Sequence, residues 1–314
     1  MPHIDALLNT DRPFLTDGGF ETWLFFQQGH SAPEFAAMML MEDDKAVADM
    51  RRYFDRFLGM AEAAGTGYVL DTNTWRGGLH WAEKIGRTAS DMIALNRAAV
   101  RFARDMRDTW ADKVTPVILN GVVGPAGDGY APERTPTVKE AETMHGPQIA
   151  IFKEEGVDMV SAITMTNVAE AIGIANAASS LSLPVVISFT VETDGRLPTG
   201  ATLKNAIAEV DAATEGAPLY YMVNCAHPEH FSDVLAGGRD WTSRIGGVRA
   251  NASRLSHAEL DMSEELDDGD PEEFGELHNG IAAVLPNLRV VGGCCGTDHR
   301  HVGCVSHHLH KSAA

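Results

Sequence analysis

The sequence predicts an α/β protein built as a single (β/α)8, or TIM, barrel, and three observations carry that prediction. Eight short β-branched or apolar runs alternate with helical stretches along all 314 residues. Each run is nearly continuous in apolar character, as strands of a parallel sheet covered on both faces must be. No G-x-G-x-x-G follows the first run, which disfavours the runner-up, a doubly wound open sheet. No repeat, low-complexity tract or linker divides the chain. A barrel of this length is an ordinary single domain, so residues 1–314 are read as one unit.

The first four strands are predicted at "RPFLTDGG" (12–19), "GYVLDTNT" (67–74), "TPVILNGVVG" (115–124) and "VDMVSAIT" (157–164). The other four are "LPVVISFTV" (183–191), "APLYYMVNC" (217–225), "RIGGVRANA" (244–252) and "NLRVVGGCC" (287–295). Between them, stretches such as 44–65 and 90–112 repeat apolar residues at three- and four-residue spacing, the period of a helix with one buried face. Pro116, Pro184 and Pro218 open strands, where a missing N–H is tolerated.

Composition narrows the function. The apolar fraction of 44% is that of a globular protein with a substantial core. A net charge of −19 argues against a nucleic-acid partner, since phosphate binding needs clustered Lys and Arg. No run of about 18 apolar residues suggests a membrane span, and the opening "MPHIDALLNTDRPF" lacks the pattern of a signal peptide. A cytoplasmic location is therefore expected. Much of the negative charge falls in Glu259–Glu276, read as a solvated loop and helix start, with a docking surface for a cationic partner as the alternative. Small-molecule ligands are the expected partners, and a homo-oligomer is compatible with the charge.

A barrel of this kind gathers its chemistry at the C-terminal ends of its strands. In order, those ends are Asp17-Gly18-Gly19, Asp71 to Thr74, Gly121 to Gly124, Ile163-Thr164, Glu192, Asn224-Cys225, Asn251 and Cys294-Cys295. Three of the four cysteines thus fall on one rim, on strands six and eight. Three thiolates suit zinc with a fourth position left open, as a catalytic site requires. Gly292, Gly293 and Gly296 would let the strand end bend so that two successive cysteines reach one ion. The same spacing also allows a small buried Cys225 beside an incidental or disulfide-bonded Cys294–Cys295 pair. Cys304 is read as a packing residue. His299, His301, His307, His308 and His310, scattered over the last helix, are read as surface or capping residues.

These motifs resemble the zinc-dependent homocysteine S-methyltransferases, a family that includes the betaine- and S-methylmethionine-using enzymes. "TDGGFETWL" (16–24) resembles the family's first-strand D-G-G motif, and "NGVVGPAG" (120–127) its G-x-x-G-P segment. "GVDMVSAITMTNVAEA" (156–171) and "PVVISFTVETDGRLPTG" (184–200) are similar to its fourth- and fifth-strand blocks, while "VNC" (223–225) and "GGCCGT" (292–297) resemble its zinc motifs, followed by His301. The resemblance implies a barrel, Zn(2+) held by Cys225, Cys294 and Cys295, and an acceptor held in part by Asp17. Gly18 and Gly19 would let a ligand approach the backbone. Thr72 and Thr74 would donate to a carboxylate, with Thr164 and Asn224 completing the substrate contacts. Trp75 or Trp23 would stack on an onium group.

Two departures from the family pattern are visible. At the end of strand four, where the homocysteine-type members carry Glu-Thr, this chain reads Ile163-Thr164. An isoleucine cannot pair with an acceptor's ammonium, and a buried unpaired ammonium is costly. Glu192 is the expected substitute, facing the zinc and contacting that group. On strand seven, "VRANASRLSHAELD" replaces the family's Tyr-Pro-Asn-like segment, leaving Arg249 and Asn251 to bind a carboxylate or to order the loop. The expected function is methyl transfer from a sulfonium or betaine-type donor to a thiol, with homocysteine the leading acceptor and methionine the product. The alternatives are another thiol or selenol acceptor, or a non-catalytic zinc- or thiol-binding barrel.

Overall fold

A computed structural model of the chain describes residues 2–130, 135–263 and 265–310. Eight parallel strands close into a ring in sequence order. They are β1 (Phe14–Leu15), β2 (Tyr68–Asp71), β3 (Val117–Val123), β4 (Met159–Met165), β5 (Val185–Phe189), β6 (Pro218–Asn224), β7 (Ile245–Ala250) and β8 (Val290–Gly293). All eight predicted strands are present. Most are shorter than predicted because the polar end of the run leaves the ladder: Asp17–Gly19, Thr72–Thr74, Cys225 and Cys294–Cys295 all lie beyond the last paired residue. Ring closure comes from β1 against β8, with Phe14 opposite Val290 and Leu15 opposite Val291.

The apolar character of both strand faces has a simple origin. Tyr68, Leu70, Leu119, Val160, Ala162, Val185, Ile187, Tyr221, Val223, Val248 and Val291 face outward and pack with the surrounding helices in one large cluster. Their alternates, among them Val69, Ile118, Val122, Met159, Ile163, Val186, Tyr220, Met222 and Val290, fill the barrel interior as a second cluster. Period-two alternation thus sorts one apolar run into two cores. Ile4 and Leu7 of the N-terminal helix Pro2–Leu8 join the interior cluster. His3 of that helix lies 3.6 Å from Asp158, just before β4, which places the helix at the strands' N-terminal ends.

The predicted helices form where caps define them. Asp43 accepts from the Lys45 and Ala46 amides to start Asp44–Ala64, and Gly65 ends it at φ +62°. Thr88 and Asp91 form a capping box for Ala89–Trp110. Among the described residues no helix is long and apolar enough to cross a membrane. In the last helix, His299–Leu309, the capping alternative holds for two histidines and not the surface one: His301 is fully buried, and His310, the C-cap, nearly so. His301 does cap, accepting the Asp298 amide on Nδ1, while its Nε2 meets the Asp268 carbonyl at 2.7 Å. Cys304 is half-buried with its thiol 3.5 Å from Glu272.

Candidate metal centre and active site

Three sulfurs converge on the C-terminal rim. The Sγ atoms of Cys225, Cys294 and Cys295 all lie within 4.8 Å of one another. Cys225 and Cys294 are paired as a disulfide with Cα atoms 5.5 Å apart, and Cys295 Sγ lies 4.0 Å from Cys225 Sγ. Three thiolates tetrahedrally placed at about 2.3 Å from one zinc stand about 3.8 Å apart. The Cys225–Cys295 separation fits that spacing, so in reduced form the three side chains are a donor set for one soft divalent cation.

Local backbone explains how neighbours and near-neighbours reach one point. Cys225 follows β6 at φ +53°, a left-handed conformation uncommon for a non-glycine residue. β8 stops at Gly293, so Cys294 and Cys295 sit in a turn, outside the strand alternation that would send them to opposite faces. Gly296 completes the turn at φ +78°. Gly19 packs against the Cys294 carbonyl so closely that any Cβ would collide with it. Protein backbone, rather than a ligand, therefore makes the close approach at that glycine.

Each sulfur has its own hydrogen-bond donor. Thr164 directs its hydroxyl to Cys225 at 3.7 Å, Asn224 its amide to Cys294 at 3.9 Å, and Tyr130 its phenol to Cys295 at 3.4 Å. Asn224 is fixed by the Thr164 amide (2.9 Å) and the Ser188 hydroxyl (2.6 Å), both donating to its Oδ1. A register irregularity between Ala162 and Met165, with Thr164 at φ +64°, brings Ile163 and Thr164 to the cavity together. Tyr130 stacks on His257 with centroids 4.2 Å apart and planes 12° apart. His257 in turn sets Nε2 2.7 Å from the Cys225 carbonyl and Nδ1 3.1 Å from Glu192. Burial, and then the neighbouring Cys295, hold the Tyr130 phenol well above its ordinary range, so it stays a donor. Burial also pushes the Cys295 thiol up.

Below the sulfurs, a polar layer crosses the barrel. Arg249 on β7 bonds both Asp17 and Asp71, and its Nε donates to the Gly293 carbonyl at 3.2 Å. Asn120 donates to Asp71 at 2.7 Å, and Ser161 to Asn120 at 3.0 Å. One cation between two buried carboxylates leaves a negative charge over. Burial, opposed by Arg249 and reinforced by Asp71, pushes the Asp17 carboxyl up to about 6.

The sulfurs open into a cavity of about 370 Å³, a volume suited to small molecules. Its walls include Phe20, Phe26, Phe35, Phe54, Trp75, Val122 and Ile163. Its only cations among the described residues are Arg249 and Arg76, the latter stacked over Trp75 at 3.9 Å and Trp81 at 4.0 Å. Acids dominate: Asp17, Glu21, Asp71, Asp128, and also Asp261, Glu265 and Asp267 from the acidic segment. That segment, whose Glu264 is outside the described residues, therefore folds over the mouth as well as facing solvent. Burial pushes the Glu21 carboxyl up to about 7, against the pull of its own backbone amide.

The predicted residues divide as follows. The three cysteines, Asp17, Gly18, Gly19, Thr72 and Thr164 line the cavity; Thr74, Asn224 and Glu192 do not. Thr72 and Thr74 are spent on the barrel backbone, Thr72 accepting the Val122 amide and Thr74 donating to the Val122 carbonyl. Asn224 reaches Cys294 from behind, and Glu192 reaches the site only through His257. Arg249 binds carboxylates of the protein's own. Asn251 lines the cavity, Trp75 sits at the mouth, and Trp23 packs elsewhere on Tyr53. Sequence reasoning missed Tyr130, His257 and Glu21. His257 and Glu21 lay within segments singled out for other residues.

The sequence profile described as homocysteine S-methyltransferase matches residues 14–309. Among solved structures, the chain is similar to the homocysteine methyltransferase MmuM from Escherichia coli. The oxidized form matches at 19% identity and a TM-score of 0.76, over 97% of this chain and 98% of that one. The metallated form matches at 19% identity and a TM-score of 0.75, over 97% and 99%. At this identity the likeness speaks for the barrel fold.

Proposed function

This chain belongs to the homocysteine S-methyltransferase family, and from that premise we propose a zinc-dependent enzyme that moves a methyl group from a sulfonium or betaine-type donor to homocysteine, giving methionine. The observation that carries the zinc reading is the convergence of Cys225, Cys294 and Cys295 within 4.8 Å at the mouth of the barrel. Zinc there would supply one thing: a positive charge that keeps an incoming thiol, of ordinary pKa about 8.5, as the nucleophilic thiolate at neutral pH.

The chain's own groups do the remaining work. Thr164, Asn224 and Tyr130 donate to the three sulfurs and fix their orientation, as outer-shell partners of a metal site do. Val122, Ile163 and the aromatic walls exclude water beside them. The acids around the mouth favour a cationic donor. The acceptor sulfur attacks the donor's methyl carbon in line; a new C–S bond forms while the bond to the donor's sulfur or nitrogen breaks and leaves its electron pair there. The acceptor's proton has already passed to solvent. Holding the two reactants at contact distance supplies much of the rate.

A second reading, a different thiol or selenol acceptor, is favoured by two observations. Ile163 lines the cavity where a carboxylate would be needed, and Asp17 is committed to Arg249. A turnover screen of homocysteine and other thiols against sulfonium and betaine donors, with reduced, zinc-loaded protein, tests both. Methionine formation supports the first reading, turnover of another thiol alone supports the second, and no methyl transfer with any pair rejects both.

A further inference from the structure

We propose that Glu21 is the carboxylate that receives the cationic centre of a substrate in the mouth of the barrel. The inference rests on the methyltransferase reading only for the identity of that substrate. It stands on a comparison of the acids that line the cavity. Asp17 and Asp71 are both bonded by Arg249. Asp128 accepts the Tyr130 amide at 2.7 Å, and Asp267 accepts the Ser253 hydroxyl at 2.5 Å and the Gly269 amide at 3.1 Å. Asp261 and Glu265 are exposed to solvent. Glu21 alone is a sheltered carboxylate of this cavity that forms no ion pair among the described residues, although the more distant charges of Arg249 and Arg76 reach it.

Its place in the chain is also informative. Glu21 sits in the one-turn segment Phe20–Thr22 directly after Asp17-Gly18-Gly19, and its charge is felt at Cys295. Phe20, Phe26 and Phe54 line the same cavity. A carboxylate beside aromatic rings and a sulfur cluster is a chemically complementary receptor for an ammonium or an onium group. A half-buried carboxylate with no ion-pair partner and only its own backbone amide beside it is costly, and burial holds this one up to about 7. A cation arriving with the ligand would remove that cost. Glu21 thereby takes the role that Ile163 cannot fill and that Glu192, engaged with His257, does not reach.

The test uses the full-length, reduced, zinc-loaded protein with Glu21→Gln and Glu21→Ala variants, read by titration calorimetry. The thiol probes are homocysteine and 4-mercaptobutanoate, which differ in the ammonium group; the onium probes are trimethylsulfonium and glycine betaine. If Glu21 holds the acceptor's ammonium, the wild type binds homocysteine at least tenfold tighter than 4-mercaptobutanoate, and both variants abolish that difference. If it holds the donor's onium, the variants weaken binding of the onium probes at least tenfold and leave the thiol ratio intact. Thermal midpoints equal to or above wild type accompany either result, because a purely structural carboxylate would lower them on replacement. Binding of all four probes within twofold of wild type in both variants overturns the proposal. Failure of the wild type to bind either thiol while the variants still lose the onium probes would reject the acceptor reading and retain Glu21.

Discussion

Arg249 crosses the barrel to bond Asp17, a residue 232 positions earlier in the chain, and holds Asp71 with the same guanidinium. The aspartate expected to hold an acceptor is thus first a structural partner. Arg249→Met would strand two buried carboxylates and is expected to cost about 3–5 kcal/mol of stability. Asp17→Asn should cost clearly less, because Asp71 keeps the guanidinium. Denaturant unfolding of the two variants checks the order; equal losses would mean that the network is not shared in this way.

Metal uptake should depend on all three sulfurs. After reduction, the wild type is expected to bind one zinc per chain, and Cys225→Ser or Cys295→Ser to retain less than a tenth of that after dialysis. Elemental analysis decides. A Cys225→Ser protein that keeps a full equivalent would show that the cluster is not the metal site.

Glu192 acts on the cluster through His257 and the Cys225 carbonyl. Glu192→Gln is therefore expected to weaken zinc binding by about 10–100-fold, the range for outer-shell partners, with little change in the KM of either substrate. Competition with a chelator measures the first quantity and steady-state kinetics the second. A large rise in acceptor KM at unchanged zinc affinity would instead place Glu192 against substrate.

Tyr130→Phe keeps the stack on His257 and removes only the phenol that donates to Cys295. A loss of about tenfold in kcat/KM is expected, with the thermal midpoint almost unchanged. Activity equal to wild type would reduce Tyr130 to a packing residue.

Stability should fall on mild acidification. Burial pushes His80, His227 and His278 down to about 4, from an ordinary value of 6.5. Between those limits the unfolded chain binds protons that the folded one refuses, so the stabilising difference is present above pH 6.5 and is lost as pH falls toward 4. Thermal unfolding of the metal-free protein across pH 7 to 4.5 should show a falling midpoint, less steep in His278→Gln. The raised Asp17 and Glu21 carboxyls act in the opposite direction, so the variant decides: a His278→Gln profile as steep as wild type would contradict the burial of that ring as a neutral group.

Much of the fold was legible because the chain is regular where the barrel is regular. Most strand residues are apolar on both faces, one toward helices and one toward the interior, with Asn120, Ser161 and Arg249 among the polar exceptions, so eight runs could be counted directly. The sulfur cluster was legible because Cys294 and Cys295 are adjacent and flanked by glycines. What escaped depends on contacts between distant loops. Tyr130 and His257 are 127 positions apart in the numbering and meet only because the loops after β3 and β7 fold over one rim. Arg249 carried a signal that was available: it alternates with the outward-facing Val248 and Ala250, and a cation in an interior demands acids nearby. The acidic segment read as solvated because composition does not reveal that Leu260 and Leu266 bring it down onto the mouth.

The first strand contributes two residues, and its bond to the second rests on a single matched pair, Leu15 with Tyr68, where the second and third share four. The hoop is therefore thinnest at the seam beside the segment that carries Asp17 and Glu21. Asp17, tied to strands seven and eight through Arg249 and the Gly293 amide, would stay with the sulfur-bearing side of the ring if the first two strands parted there. The acid and the sulfur cluster thus belong to one stave of the vessel, and the second strand to another.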